Sequence, residues 1–295
     1  MQEVQTISVF QRIVSHPAFL LVIGCLMVVL VPAAGGALFR ILVPPAGRTD
    51  WVDLVSTILA VTSFTLAYWL FVRFVERKPF SDFASDGAAK EWGFGIVIGA
   101  FAMSLTVAFI AALGGYHITG YNGPQVLTAV LSMALISGIP EEILFRGIIF
   151  RFLEKWLGSA VALTLSALLF GVAHISNPNS SWLAAFAIAI EAGVMLGAVY
   201  MMTRRLWAAI GLHMAWNTAQ GGIFGVAVSG TTVKGLIISE PAGSDWITGG
   251  AFGAEASLPA IILCTSIGLY FLYRAHRSGQ FIAPSWHRFK TGEAA

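Results

Sequence analysis

Of the 295 residues, 57% are hydrophobic and 11% charged, where an ordinary soluble domain carries about a quarter charged residues. The 17 Lys and Arg nearly balance the 15 Asp and Glu, leaving a net charge of +2 and no basic stripe to bind nucleic acid. A soluble enzyme, a disordered chain and a nucleic-acid module are therefore excluded as fold classes, and an all-α, polytopic membrane helix bundle is expected.

The rule that about 20 apolar residues cross a hydrocarbon core predicts eight helices. They run over 17–43, 52–75, 92–114, 124–152, 159–174, 182–203, 206–228 and 258–273. Ala33-Ala34-Gly35 has the look of a signal-peptidase site, but the apolar run continues to Val43, which makes this an uncleaved first span. The fourth span is long and the fifth short. Between the seventh and eighth, Ser229 to Ser257 reads as a Gly-rich polar loop carrying Glu240, Asp245 and Glu255. Cys25 and Cys264 sit in apolar blocks and read as small buried hydrophobes.

Assigning the connections alternately to two sides gathers the positive charges on one of them. Arg12, Arg73, Arg77, Lys78, Lys90, Arg151, Lys155, Arg204, Arg205, Arg274, Arg277, Arg288 and Lys290 share a side. Only Arg40, Arg48 and Lys234 take the other, with Arg146 inside a span. The positive-inside rule then puts both termini in the cytoplasm, as expected for a multi-pass protein of a bacterial inner membrane. The segment after Tyr273 reads as a solvated basic tail.

Three charged residues interrupt the fourth span. A charged side chain at the bilayer centre costs about 2.5–3.5 kcal/mol, so such residues are functional candidates. In Pro140-Glu141-Glu142-Ile143-Leu144-Phe145-Arg146, Glu142 and Arg146 are i,i+4 partners in the favourable acid-first order. Glu141 points about 100° away without a local partner. A desolvated carboxylate of that kind suits a general base, and Glu142 with Arg146 a structural pair. His174 ends the fifth span, and His213 and Asn217 lie one turn apart on one face of the seventh. Counted from the cytoplasmic ends at 1.5 Å per residue, Glu141 lies at about 15 Å, His174 at about 21 Å, Asn217 at about 15 Å and His213 at about 9 Å. Convergence near the midplane is expected, with tilt, a broken helix or a different start for the seventh span needed to join the two histidines.

Glu141-Glu142-x-x-x-Arg146, Phe170-x-x-x-His174 and His213-x-x-x-Asn217, in this order on successive apolar helices, resemble the motifs of the CPBP family of intramembrane proteases. That family includes the eukaryotic CAAX prenyl endopeptidases and bacterial relatives linked to bacteriocin processing or immunity. The resemblance extends over about 90 residues, from Ser137 to Ala227, including Gly193, Gly197 and Thr203. It implies that Glu141 activates a water with His174 as acid/base partner, that His213 and Asn217 stabilise the oxyanion, and that Glu142 and Arg146 shape the site. The family has been described both as metalloproteases and as glutamate proteases. Zinc, if bound, would take Glu141, His174 and His213, but there is no His-Glu-x-x-His helix and Asn is a poor zinc ligand, so no cofactor is the favoured reading.

The chain is expected to divide into helices 1–3 (1–120), a catalytic core of helices 4–7 (121–228), and a non-cytoplasmic loop, last helix and basic tail (229–295). The expected function is hydrolysis of a peptide bond in a membrane-embedded or lipidated substrate near the cytoplasmic leaflet, with the lipid bilayer and no nucleic acid as partners. The alternatives are a non-proteolytic membrane partner of the bacteriocin-immunity type and, behind it, a proton-coupled transporter, for which neither inverted repeats nor paired broken helices are seen. Glu191 reads as a network or interfacial residue, with cavity lining as its alternative. Gly193-x-x-x-Gly197 reads as close helix packing, and His16, His117, His276 and His287 as surface.

Overall fold

A computed structural model describes residues 9–44 and 49–287; Arg48, Arg288 and Lys290 lie outside the described residues. After a short α1 (Val9–Ser15), the chain is a multi-pass helical bundle. Its helices are α2 (Pro17–Leu42), α3 (Asp50–Val75), α4 (Ala88–Ala112), α5 (Pro124–Leu157), α6 (Ser159–Ala173), α7 (Trp182–Thr203), α8 (Trp207–Asn217) and α9 (Leu258–Arg277). Six of them are long and apolar enough to cross a membrane; α6 is shorter, and α8 has 11 residues before its last turn widens into a π-helix over Thr218–Ile223. Large apolar side chains such as Leu30, Val97, Phe101 and Ile262 point outward. Lipid, rather than a protein core, covers such a surface.

The helix boundaries follow local chemistry. Pro17 opens α2, where a missing N–H costs nothing, behind His16, whose Nδ1 accepts from Ala18 N. Ser181 caps α7 by accepting from Ala184 N, and Ser257 caps α9 by accepting from Ala260 N. Backbone contact between α4 and α8 depends on small residues: a Cβ on Gly99 would stand 2.2 Å from the Leu212 carbonyl oxygen.

The connection between α8 and α9 is more than a loop. Ile237–Pro241 (β2) pairs antiparallel with Tyr116–Tyr121 (β1), with Tyr116 opposite Pro241 and a bulge between Ile118 and Gly120. The same connection holds a helical turn at Asp245–Thr248 and a 3₁₀ turn at Ala254–Ala256. An all-α bundle thus acquires a two-stranded sheet outside its spans. The reason is cross-strand: β-branched and aromatic residues on both segments find partners over a hundred residues apart.

The buried apolar residues form two large clusters and a small one. One large cluster joins α2, α3, α5 and α6 around Phe71, Phe150 and Phe152. The other joins α4, α7, α8 and α9 around Met103, Leu196 and Trp216. The small cluster packs Phe145 and Phe170 against Ile188 and Phe252, and lies next to the polar residues.

Candidate active site

Glu142 is completely buried, and its Oε1 accepts from Arg146 Nη1 at 2.8 Å and from His213 Nδ1 at 2.9 Å. The first bond is the i,i+4 pair within α5; the second joins α5 to α8. Gly138, one turn earlier, makes this approach possible, because a Cβ there would stand 2.3 Å from Met214 Cγ. Arg146 Nη2 reaches α7 and donates to the Ala192 and Gly193 carbonyls at 3.1 and 3.2 Å. Those carbonyls belong to a π-helical stretch, Ala189–Val194, and π-turns release carbonyls from the regular ladder. The guanidinium also lies 4.7 Å above the Phe170 ring of α6. One arginine therefore ties three helices together.

His174 follows the last residue of α6. Its Nδ1 lies 2.7 Å from the Phe170 carbonyl oxygen. A carbonyl oxygen only accepts, so Nδ1 carries the proton and Nε2 presents a lone pair. That lone pair faces Glu141 Oε2 at 3.9 Å, and His213 Nε2 faces the same oxygen at 4.0 Å. The oxygen is buried and has no hydrogen-bond partner among the described residues. Phe170 packs tilted against His174 at 4.8 Å and edge-on to His213 at 6.2 Å, so the aromatic of the Phe-x-x-x-His motif packs against both imidazoles as well as the guanidinium.

The six residues singled out in the sequence are thus brought together. The depth mismatch between the two histidines disappears because α6 ends at the level of Glu141 rather than crossing fully. Glu141 differs from expectation in one respect: its side chain keeps 32% of its surface accessible instead of being sealed.

His174, His213 and Asn217 line a cavity of about 20 Å³, which has room for a water molecule. The same lining holds Glu191, for which cavity lining is the alternative reading of the sequence, and residues of the α8–α9 connection. Glu191 is 1% exposed and lines the cavity, with Oε2 lacking a partner among the described residues. Glu255 is 3% exposed and accepts from Ser229 N at 2.5 Å, so the α8–α9 connection closes the site. In the sequence Glu255 is one of three loop acids, and nothing local marks it out. Gln220 is fully buried beneath the same connection and donates to the Ala227 carbonyl at 2.6 Å.

Burial pushes the Glu255 carboxyl up to about 7; bonds from Ser229 and Gln220 and the nearby His213 oppose that rise. A carboxyl raised on folding stabilises the fold only while protonated, and that contribution is complete below the unfolded value and lost as pH rises through about 7. Thermal unfolding in detergent is therefore expected to show falling stability between pH 5 and 8, and Glu255→Gln is expected to flatten the fall. An unchanged slope in the variant would assign the pH dependence to other groups.

Residues 123–219 match the family described as Type II CAAX prenyl endopeptidase Rce1-like. The segment contains Glu141, Glu142, Arg146, His174, Glu191, His213 and Asn217, whereas Ser229 and Glu255 lie beyond it. Uncharacterized protein YyaK of Bacillus subtilis (strain 168) is similar at 26% identity over 181 residues, covering 55% of this chain. The chain spans 60% of the length of that relative. No solved structure matches.

Proposed function

We propose, from the match of residues 123–219 to the Rce1-like type II CAAX prenyl endopeptidase family, that the protein is an intramembrane endopeptidase in which Glu141 activates a water against a peptide carbonyl. The observation that carries this reading is the unpartnered Glu141 Oε2 facing two imidazole Nε2 atoms at 3.9 and 4.0 Å. Those distances are too long for direct hydrogen bonds and suit a bridging water.

Glu141 takes a proton from the water as its oxygen bonds to the carbonyl carbon, and negative charge moves onto the carbonyl oxygen. The Asn217 amide donates to that oxyanion, joined by His213 when Nε2 holds a proton taken from solvent beside the one that Nδ1 donates to Glu142. As the C–N bond breaks, the leaving nitrogen receives the proton from Glu141 or through His174 Nε2. Glu142 and Arg146 do not touch the reacting atoms; they orient His213 and join α5 to α7. The substrate class is a membrane-associated or lipid-modified peptide.

Zinc is the metal that this donor set could take. The ligand types of Glu141, His174 and His213 suit it, but donors at bond lengths near 2.0–2.1 Å on a tetrahedral ion stand about 3.3 Å apart, closer than the 3.9 and 4.0 Å found. Among the described residues, no group of three His, Cys, Asp or Glu side chains is spaced to hold a metal ion. The water is therefore proposed to be activated by Glu141 alone.

The test compares peptides released from membranes of cells lacking the protein with those from cells re-expressing it, with and without a chelator. Products that depend on the protein and persist with chelator support the reading. No protein-dependent product would leave a non-catalytic partner role, and loss with chelator followed by recovery with zinc would replace the metal-free mechanism. Asn217→Ala is expected to lower kcat by about 10²–10³-fold, the usual loss for one oxyanion donor, with KM little changed. A rise in KM alone would assign Asn217 to substrate binding.

A further inference from the structure

Glu141 lies within α5, and His213 and Asn217 lie within α8, so that helix continues on both sides of each. His174 is placed differently. It is the first residue past α6, and the chain leaves the helix there through a connection, residues 174–181, that is neither helix nor strand. Asn177 precedes Pro178, whose ring disfavours helix at the residue before it, and Asn179 takes a left-handed φ of 57°, which asparagine tolerates. Within this turn Asn177 N donates to the His174 carbonyl at 3.1 Å. The bond between Nδ1 and the Phe170 carbonyl holds the ring from the α6 side only, and helix ends fray. A one-residue fray here would carry Nε2 away from Glu141.

The α8–α9 connection supplies the support that α6 lacks. Asn177 Nδ2 donates to the Ser229 carbonyl at 3.1 Å and Asn179 Nδ2 to the Gly230 carbonyl at 3.3 Å. A Cβ on Gly230, which has a φ of 80°, would overlap the Pro178 carbonyl, so glycine is what lets the two connections meet. Both residues are fixed from behind as well. Ser229 N donates to Glu255 Oε1 at 2.5 Å, and Gly230 N to the Phe252 carbonyl at 2.7 Å. Phe252 packs with Phe170 in the small apolar cluster, so the same connection bears on both ends of the Phe170-x-x-x-His174 turn. An unbroken series of hydrogen bonds thus runs from the buried Glu255 through Ser229 and Asn177 to the His174 backbone.

We propose that Asn177, anchored on Ser229 and Glu255, is a positioning residue for His174: it latches the chain leaving α6 to the α8–α9 connection and so holds Nε2 at 3.9 Å from Glu141 Oε2. Asn177 does not line the inner cavity, so its effect on the chemistry passes through His174. The latch also joins the family-matched segment to residues beyond it. What His174 does rests on the endopeptidase reading; the latch rests on the bonds just described.

Asn177→Asp keeps the shape of the side chain and its capacity for turns but has no N–H to donate. In purified protein in lipid it is expected to lower kcat for peptide release about 10²-fold, the cost of a misplacement of about 1 Å, with KM and melting temperature close to wild type. In a His174→Gln background the same substitution is expected to cost nothing further, because the group it positions is gone. An unchanged kcat, or an equal loss in both backgrounds, would overturn the proposal. Asn177→Ala repeats the comparison without adding a charge. Nitrogen NMR of protein labelled at histidine reads the latch without a substrate. The His174 ring signals, identified by their absence in His174→Gln, are expected to shift or split in both Asn177 variants while those of His213 hold. If neither wild type nor variants release a peptide, the endopeptidase reading falls and the NMR decides the latch alone: His174 signals identical to wild type in both variants would overturn it.

Discussion

Glu141→Gln is expected to slow peptide release by about 10²–10⁴-fold, the range a positioned general base supplies. The substitution keeps the shape of the side chain and removes its ability to take a proton from water. Little cost in folding is expected, because Glu141 Oε2 has no partner to lose among the described residues and the side chain is 32% accessible. The loss should fall on kcat, and melting temperature should match the wild type. Release assays on purified protein in lipid, at several substrate concentrations, separate the two parameters. A loss below tenfold would remove Glu141 as base, and His174, whose Nε2 lone pair faces the same point, would take its place.

Arg146→Met is expected to destabilise the protein by about 3–5 kcal/mol, the usual cost of leaving one partner of a buried ion pair behind. Glu142 has no exposed surface and would retain only His213, while the Ala192 and Gly193 carbonyls would lose their donor. Adding Glu142→Gln removes the stranded charge, so the double variant should lose less than the sum of the singles, a coupling that thermal unfolding of all four proteins measures. Simple additivity would mean that the two side chains act independently, contrary to their 2.8 Å contact.

The parts of this architecture legible in the sequence are those decided locally or by the bilayer. Spans must be apolar over about 20 residues, so the helix positions could be read directly. Glu142 and Arg146 lie on one helical face and could be paired by arithmetic. The bond from His213 to Glu142 crosses 71 positions and has no local signature; only the order of the motifs suggested it. Depth counting placed the two histidines apart because it assumed that every helix starts and stops at the same level, whereas α6 has 15 residues and ends beside Glu141. Tyr116–Tyr121 is too short to declare itself a strand without β2 beside it. Glu255 could not be separated from Glu240 and Asp245, because its burial comes from the connection folding back onto Ser229.

The Glu142–Arg146 pair also bears on how the chain enters the membrane. During synthesis α5 must pass into lipid before His213, 71 residues later, has been made. At about 5–20 residues per second that interval is roughly 4–14 s. Through it the two charges can neutralise each other within a single helix, needing no other segment. A salt bridge between different helices would have left both ions exposed to hydrocarbon until the later helix arrived. The i,i+4 spacing thus makes the site's most polar helix competent for insertion before the site exists.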